Sequence, residues 1–271
     1  MLRERLAVTL LLIPPALWII STGGLLYLAG VTLLLGMAAA EYGLLFRRGG
    51  QRPALALLVG GAMLLSAGRQ LLDTHWLGLA LGGLLLAAMA WHALDYERGA
   101  QLSGTDFAVT VSGMLYLGWI GGYLVALRGL PDGEWWVLLA LPSVWLADSA
   151  AYLVGQAVGR RKLSPRLSPN KTWEGYLAGV AAGALAGAGL AALWRIGAGA
   201  DSSLSAGLGA AVGGMLGAIT PLGDLGISMF KRQMQVKDTG ALFSGHGGVL
   251  DRMDSWLWAG ALAYYLVGWL S

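Results

Sequence analysis

Nine apolar stretches, at about residues 6–20, 25–46, 54–68, 76–94, 107–127, 135–155, 175–194, 204–222 and 249–270, limit what this chain can fold into. A bilayer core is crossed by roughly 20 mostly apolar residues in helical form. Composition removes the water-soluble reading, which for 271 residues would mean one or two domains. Hydrophobic residues are 56% and charged residues 12% of the chain, the latter about half the usual share of a soluble domain. The 43 glycines agree, since glycine is more frequent in transmembrane helices than in soluble ones. With no cysteine, a disulfide scaffold, thiolate–metal sites and cysteine nucleophiles are excluded. The expected fold is all-α: a polytopic integral membrane protein of about nine transmembrane helices.

Lysine and arginine in the connections set the orientation. With a cytosolic N-terminus, all 18 cations except Arg69, Arg128 and Arg195 fall on the inside. The first stretch follows Arg3 and Arg5 and resembles the start of a signal peptide, but it runs through Pro14 and Pro15 without a small-x-small cleavage site. It is therefore expected to stay as a span. Residues 1–130 read as a scaffold of Leu/Ala/Gly spans with short connections. Residues 131–271 read as the catalytic membrane region, with cytosolic loops at 156–174 and 223–250.

Acidic side chains within or beside a span are costly and mark function. Asp148 lies in the cytosolic half of the sixth stretch, Asp224 follows the eighth, Asp251 and Asp254 open the ninth, and Glu41 ends the second near Arg47 and Arg48. Asp224, Ser228 and Lys231/Arg232 recur at helical spacing, so one face carries a carboxylate, a hydroxyl and cations. That combination suits a metal beside phosphate, because Mg²⁺ takes one or two carboxylates and leaves its other positions to water and phosphate oxygens. A plain solvated amphipathic helix would explain the cations but not Asp224.

Two cytosolic segments carry the remaining signal. Lys237, Asp238, Gly240, Ser244, Gly245, His246, Gly247, Gly248, Asp251 and Arg252 form a glycine-rich run entering the last helix. Its backbone can approach an anion, and the helix N-terminus favours one. His246 is best read as a phosphate hydrogen-bond donor, with metal ligation and capping as alternatives, and His75 and His92 have no evident role. In the other segment, Ser168 and Pro169 predict an N-cap and first helical residue. Lys171 would then sit in a first turn, where a cation needs an anion or Glu174 beside it. Arg160, Arg161 and Lys162 read equally as a headgroup tether or as part of the positive-inside bias. The absence of a G-x-x-x-x-G-K-[ST] loop argues against a P-loop enzyme.

From Ser228 through Lys231-Arg232, Lys237-Asp238 and Phe243-Ser244-Gly245-His246-Gly247-Gly248 to Asp251-Arg252 and Asp254, the chain resembles the signature of phosphatidate cytidylyltransferases, the CDP-diacylglycerol synthases. Ser168-Pro169-Asn170-Lys171-Thr172-Trp173-Glu174 is similar to that family's second marked segment. The resemblance covers about 140–255, and its one departure is Ser244, where many relatives have proline. It implies CMP transfer from CTP to phosphatidic acid with Mg²⁺, with or without a second cation, in a homodimer of the cytoplasmic (inner) membrane that uses no nucleic acid. The site is expected at the cytosolic ends of the C-terminal helices. The resemblance also implies roles: Asp224, Asp251 and Asp254 for the metal; Lys171, Lys237, Arg232, His246 and Arg252 with the catalytic phosphates; and Ser168, Asn170, Lys231, Ser228, Gly245, Gly247, Gly248 and Asp148 around the substrates. A CTP-dependent lipid kinase and an ion-coupled transporter are the competing readings.

Overall fold

The computed structural model describes residues 13–199, 201–240 and 247–270. Each of the nine apolar stretches is helical where it is described. In order these are α1 (Ile13–Thr22), α2 (Gly24–Arg48), α3 (Leu55–Leu71), α4 (Thr74–Glu97), α5 (Ser103–Gly113) with a π-helical turn at Met114–Ile120, α6 (Tyr123–Arg128), α7 (Gly133–Val158), α8 (Trp173–Ala198), α9 (Ala206–Ile219), α10 (Pro221–Gln233) and α11 (Leu250–Leu270). Six uninterrupted or nearly uninterrupted stretches are long and apolar enough to cross a bilayer: Gly24–Arg48, Thr74–Glu97, Ser103–Arg128, Gly133–Val158, Trp173–Ala198 and Ala206–Gln233. The 17 residues of α3 reach only about 25 Å at 1.5 Å per residue. The chain is a multi-pass membrane protein. The start of the first stretch, with Arg3 and Arg5, lies outside the described residues.

The all-α expectation needs one amendment. Strands β1 (Lys162–Ser164) and β2 (Ser168–Thr172) form an antiparallel hairpin in which Lys162 is opposite Thr172. Ser168 is therefore not a helix cap. Thr172 takes that place, its Oγ1 accepting from Gly175 N at 3.2 Å, and α8 begins at Trp173. Pro169 fits a two-stranded ribbon because neither strand is central, so a missing N–H costs little there.

Two compact units divide the chain: Met1–Ala126 with Phe230–Met253, and Leu127–Met229 with Asp254–Ser271. Lipid tails offer helices no hydrophobic drive to associate, so close packing and polar contacts must hold each unit together. In the first unit, Gly118 of the π turn lies so close to α3 that a Cβ there would come within 2.6 Å of Ala62 Cα. A π turn displaces carbonyls from the regular ladder. The displaced Trp119 carbonyl accepts from Arg69 Nε at 3.1 Å and Nη2 at 3.0 Å, while the guanidinium lies over the Trp119 and Tyr123 rings. Tyr27 Oη donates to the Leu124 carbonyl at 3.0 Å, and Tyr42 Oη meets Ser112 Oγ at 2.9 Å.

In the second unit α8 packs on both α7 and α9. Gly175, Gly179, Gly183 and Gly187 recur every fourth residue along α8 and are all buried. Gly175 and Gly179 face the α7 backbone around Ala147, Ala151 and Gly155, while Gly183 and Gly187 face Gly209, Gly213 and Gly217 of α9. This small-residue stripe lets backbones touch, which is how membrane helices gain dispersion energy. The stripe is legible in the sequence as a four-residue glycine period, but composition alone does not single it out.

Candidate active site

Among the described residues of the second unit, three of the expected site residues come together. Lys171, on β2, forms an ion pair with Asp224, in the first turn of α10. Both lie within electrostatic reach of Asp148 on α7. Asp148, Lys171, Thr172, Tyr152, Tyr176 and Pro221 line a recess of about 90 Å³. A water needs only about 10–15 Å³ of such volume, so the recess has room for a cation with several waters. Asp224 also faces Ser228 one turn on, at a weak 3.5 Å. The expected helical stripe is therefore present, and its carboxylate has acquired a cation from the hairpin.

That placement revises the electrostatic argument about Lys171. It is a strand residue that precedes the Thr172 cap of α8, and the anion its charge requires is Asp224. Glu174 does not accompany it either: the carboxylate accepts from the backbone N–H groups of Arg160 and Arg161 at 3.1–3.3 Å, pinning the entrance to the hairpin. Ser168 is half-buried and Asn170 exposed on the same ribbon. Asp254 is buried, and its Oδ1 accepts from Ser255 N at 2.6 Å.

The first unit holds another cluster. Lys231 Nζ donates to Asp251 Oδ1 at 2.7 Å, both side chains being 16% exposed or less. Asp251 Oδ2 is met by Thr239 N at 2.8 Å, Thr239 Oγ1 at 2.9 Å and Gly248 N at 3.1 Å. Gly247 adopts φ +78°, and a Cβ there would lie 2.9 Å from Asp251 Oδ2, so this turn requires glycine. Asp251 thus organises the glycine-rich run around itself. Arg232, Lys237 and Arg252 stand exposed to solvent. Ser244, Gly245 and His246 lie outside the described residues, so the expected role of His246 has no structural description.

Glu41 is the participant that sequence reasoning undervalued. Arg47 follows it in the sequence, yet Arg47 Nη2 donates to the Pro53 carbonyl at 3.4 Å. Glu41 instead accepts from Val249 N at 3.0 Å, Leu250 N at 2.9 Å and Thr239 Oγ1 at 3.2 Å. A carboxylate near the end of an apolar stretch, followed by the cations of the next connection, gives no sequence sign of a partner about two hundred residues away.

Metal ligation rests on the donor chemistry. Among the described residues, no three His, Asp or Glu side chains converge on a point. Mg²⁺ needs less, because one or two carboxylates with water and substrate phosphates complete its octahedron. Asp224 and Asp148 supply that number, so the residues fit. Asp251 is the more heavily engaged acid, with one lysine and three further donors on its two oxygens against one lysine and a long hydroxyl contact on Asp224.

A model of the cytidylyltransferase family matches residues 3–270 of this chain. Among curated proteins, it is 32% identical to a phosphatidate cytidylyltransferase of Synechocystis over 90% of this chain and 89% of that one. A phosphatidate cytidylyltransferase of Pseudomonas aeruginosa is 35% identical over 94% and 93% of the two chains, and one of Brucella suis is 34% identical over 79% and 74%.

Proposed function

The chain belongs to the cytidylyltransferase family, and from that premise we propose that it transfers CMP from CTP to phosphatidate, giving CDP-diacylglycerol and pyrophosphate. The observation that carries this reading is the whole-length match to the family, joined to a paired lysine and acid at each of the two marked segments. Phosphatidate brings its own nucleophile. A phosphate oxygen attacks the α-phosphorus of CTP, the bond from that phosphorus to the bridging oxygen breaks, and pyrophosphate leaves with the electron pair. No serine nucleophile or general base is required. The protein must hold two polyanions together and stabilise the charge that gathers on the departing group.

Lys171 and Lys231 are the cations poised for that work, each held by a carboxylate until phosphate competes for it. Arg232, Lys237, His246 and Arg252 complete the phosphate-handling set, with Ser168, Asn170 and Ser228 as hydrogen-bond donors. When bound, Mg²⁺ supplies charge neutralisation to the triphosphate and the leaving pyrophosphate, and Asp224 with Asp148 would hold it. The experiment that tests the activity is incubation of purified protein with Mg²⁺, phosphatidate and each nucleoside triphosphate in turn, followed by product mass. CDP-diacylglycerol from CTP is the expected product. A phosphorylated lipid without cytidine would instead establish a kinase.

All nine stretches cross the bilayer in this reading, with the N-terminus in the cytosol, residues 1–130 as scaffold and the chemistry in 131–271. The charge bias supports that orientation, and the bacterial relatives support a cytoplasmic membrane. The family resemblance supports a homodimer. The cysteine-free sequence makes topology directly measurable. Single cysteines at Asp132 and Asp201 should react with an impermeant thiol reagent from outside, while Arg161→Cys and Gln235→Cys should react only after the membrane is opened. Labelling of Arg161→Cys in sealed right-side-out vesicles would invert the arrangement.

A further inference from the structure

We propose that Glu41 of α2 is a positioning residue for the cytidylyl transfer, fixing the backbone at 239–240 and 248–250 around Asp251 and Lys231. The inference rests on the activity assigned above for its kinetic part only. Glu41 Oε1 accepts from Val249 N, and Oε2 accepts from Leu250 N and Thr239 Oγ1. These two N–H groups belong to the start of α11, where a helix has no internal partners for its amides. An N-terminus of this kind takes a carboxylate readily, both as an acceptor and through the helix dipole. Here the carboxylate comes from another helix far away in sequence. The first-turn amides that looked available to a substrate phosphate are therefore directed at the protein's own acid.

The same carboxylate explains two glycines of the signature. A Cβ at Gly240 would come within 2.7 Å of Glu41 Cδ and 3.2 Å of its Cγ, and its nearest neighbours are all Glu41 atoms. One at Gly248 would come within 2.7 Å of Glu41 Cδ. Gly240 and Gly248 have negative or unremarkable φ, unlike Gly247 at +78°, so conformation does not demand glycine there. Space for Glu41 does at Gly240, and at Gly248 space for Glu41 and the Thr239 hydroxyl together does. Thr239 links the two acids, since its one hydroxyl proton lies between Asp251 Oδ2 at 2.9 Å and Glu41 Oε2 at 3.2 Å. Glu41 thus acts on the Lys231–Asp251 pair through Thr239 and the 248–250 backbone.

The test combines kinetics with an activity-independent measurement on the full chain in detergent. Glu41→Gln keeps the shape but presents an amide to one of the N–H donors. It should lower kcat roughly 10- to 100-fold, the scale of a lost charge-assisted bond that strands a buried donor, with a smaller change in KM for CTP. Gly240→Ala should also lower kcat in the native background, yet add nothing to Glu41→Ala, because the alanine then has room. Equal losses from Gly240→Ala in both backgrounds would overturn the assignment and give that glycine a different role. Hydrogen exchange at the Val249 and Leu250 amides should accelerate in Glu41→Gln, and unchanged exchange there would overturn the anchoring itself. Native protein that makes no CDP-diacylglycerol would refute the activity, while the exchange measurement would still decide the placement of Glu41.

Discussion

Asp224→Asn is expected to lower turnover of CTP and phosphatidate by about 10²–10³-fold, or roughly 3–4 kcal/mol of transition-state stabilisation, in a protein that remains folded and inserted. The change is nearly isosteric, and the asparagine oxygen can still face Ser228. What disappears is the charge that pairs with Lys171 beside the recess lined by Asp148 and Lys171. Two mechanisms give the same loss but separate on titration. If Asp224 holds Mg²⁺, a large excess of the metal should restore part of the rate. If Asp224 serves only to place Lys171, magnesium should have no effect, and Lys171→Ala combined with Asp224→Asn should be no worse than Lys171→Ala alone. Near-native turnover at every magnesium concentration would remove Asp224 from the site. Neutralising Arg160, Arg161 and Lys162 together is expected to act differently: these side chains are exposed, so their contribution at an anionic surface is about 1 kcal/mol each and fades with salt. Added salt should not rescue Lys171→Ala.

The second large effect is on stability. Gly187→Val should destabilise the protein by about 3 kcal/mol, whereas Gly189→Val should leave it within about 0.5 kcal/mol of native. A Cβ at 187 would press on the Gly209 carbonyl and come within 3.0 Å of Gly213 Cα, and backbone cannot step aside as a side-chain tip can. At 189 nothing lies within 4 Å. Both substitutions replace glycine by the same β-branched residue in one helix, so propensity cancels from the comparison. Thermal loss of the monodisperse peak on size exclusion in a mild detergent measures the difference. Equal behaviour of the two variants would mean that α8 and α9 are held by something other than their glycine faces.

Helix placement was legible because membrane helices are read by length and apolarity, and those are properties of contiguous sequence. The stretch at about 135–155 needed no partner to be recognised, and it is helical over Gly133–Val158 even with Pro142 inside it. The signature at 228–254 was equally plain, since phosphate and metal chemistry restricts residue types at short spacings. The stripe Asp224–Ser228 came out as expected because one turn of helix fixes it.

Ser168–Thr172 shows where local reading stops. Serine followed by proline is a good helix start in isolation, yet pairing with 162–164 made it a strand and moved the cap to Thr172. Lys171 was expected in a first helical turn beside an anion or Glu174; it lies on the hairpin, and its counter-charge is Asp224. The same limit hid Glu41. By themselves, apolar length and the signature residues determined a helical membrane protein of the cytidylyltransferase family. Only the tertiary structure decided which carboxylate meets which cation or amide, and which glycines are glycine to make room. The Lys171–Asp224 pair and the contacts of Glu41 close loops of about fifty to two hundred residues, and a loop's closure leaves no trace in the local pattern at either end.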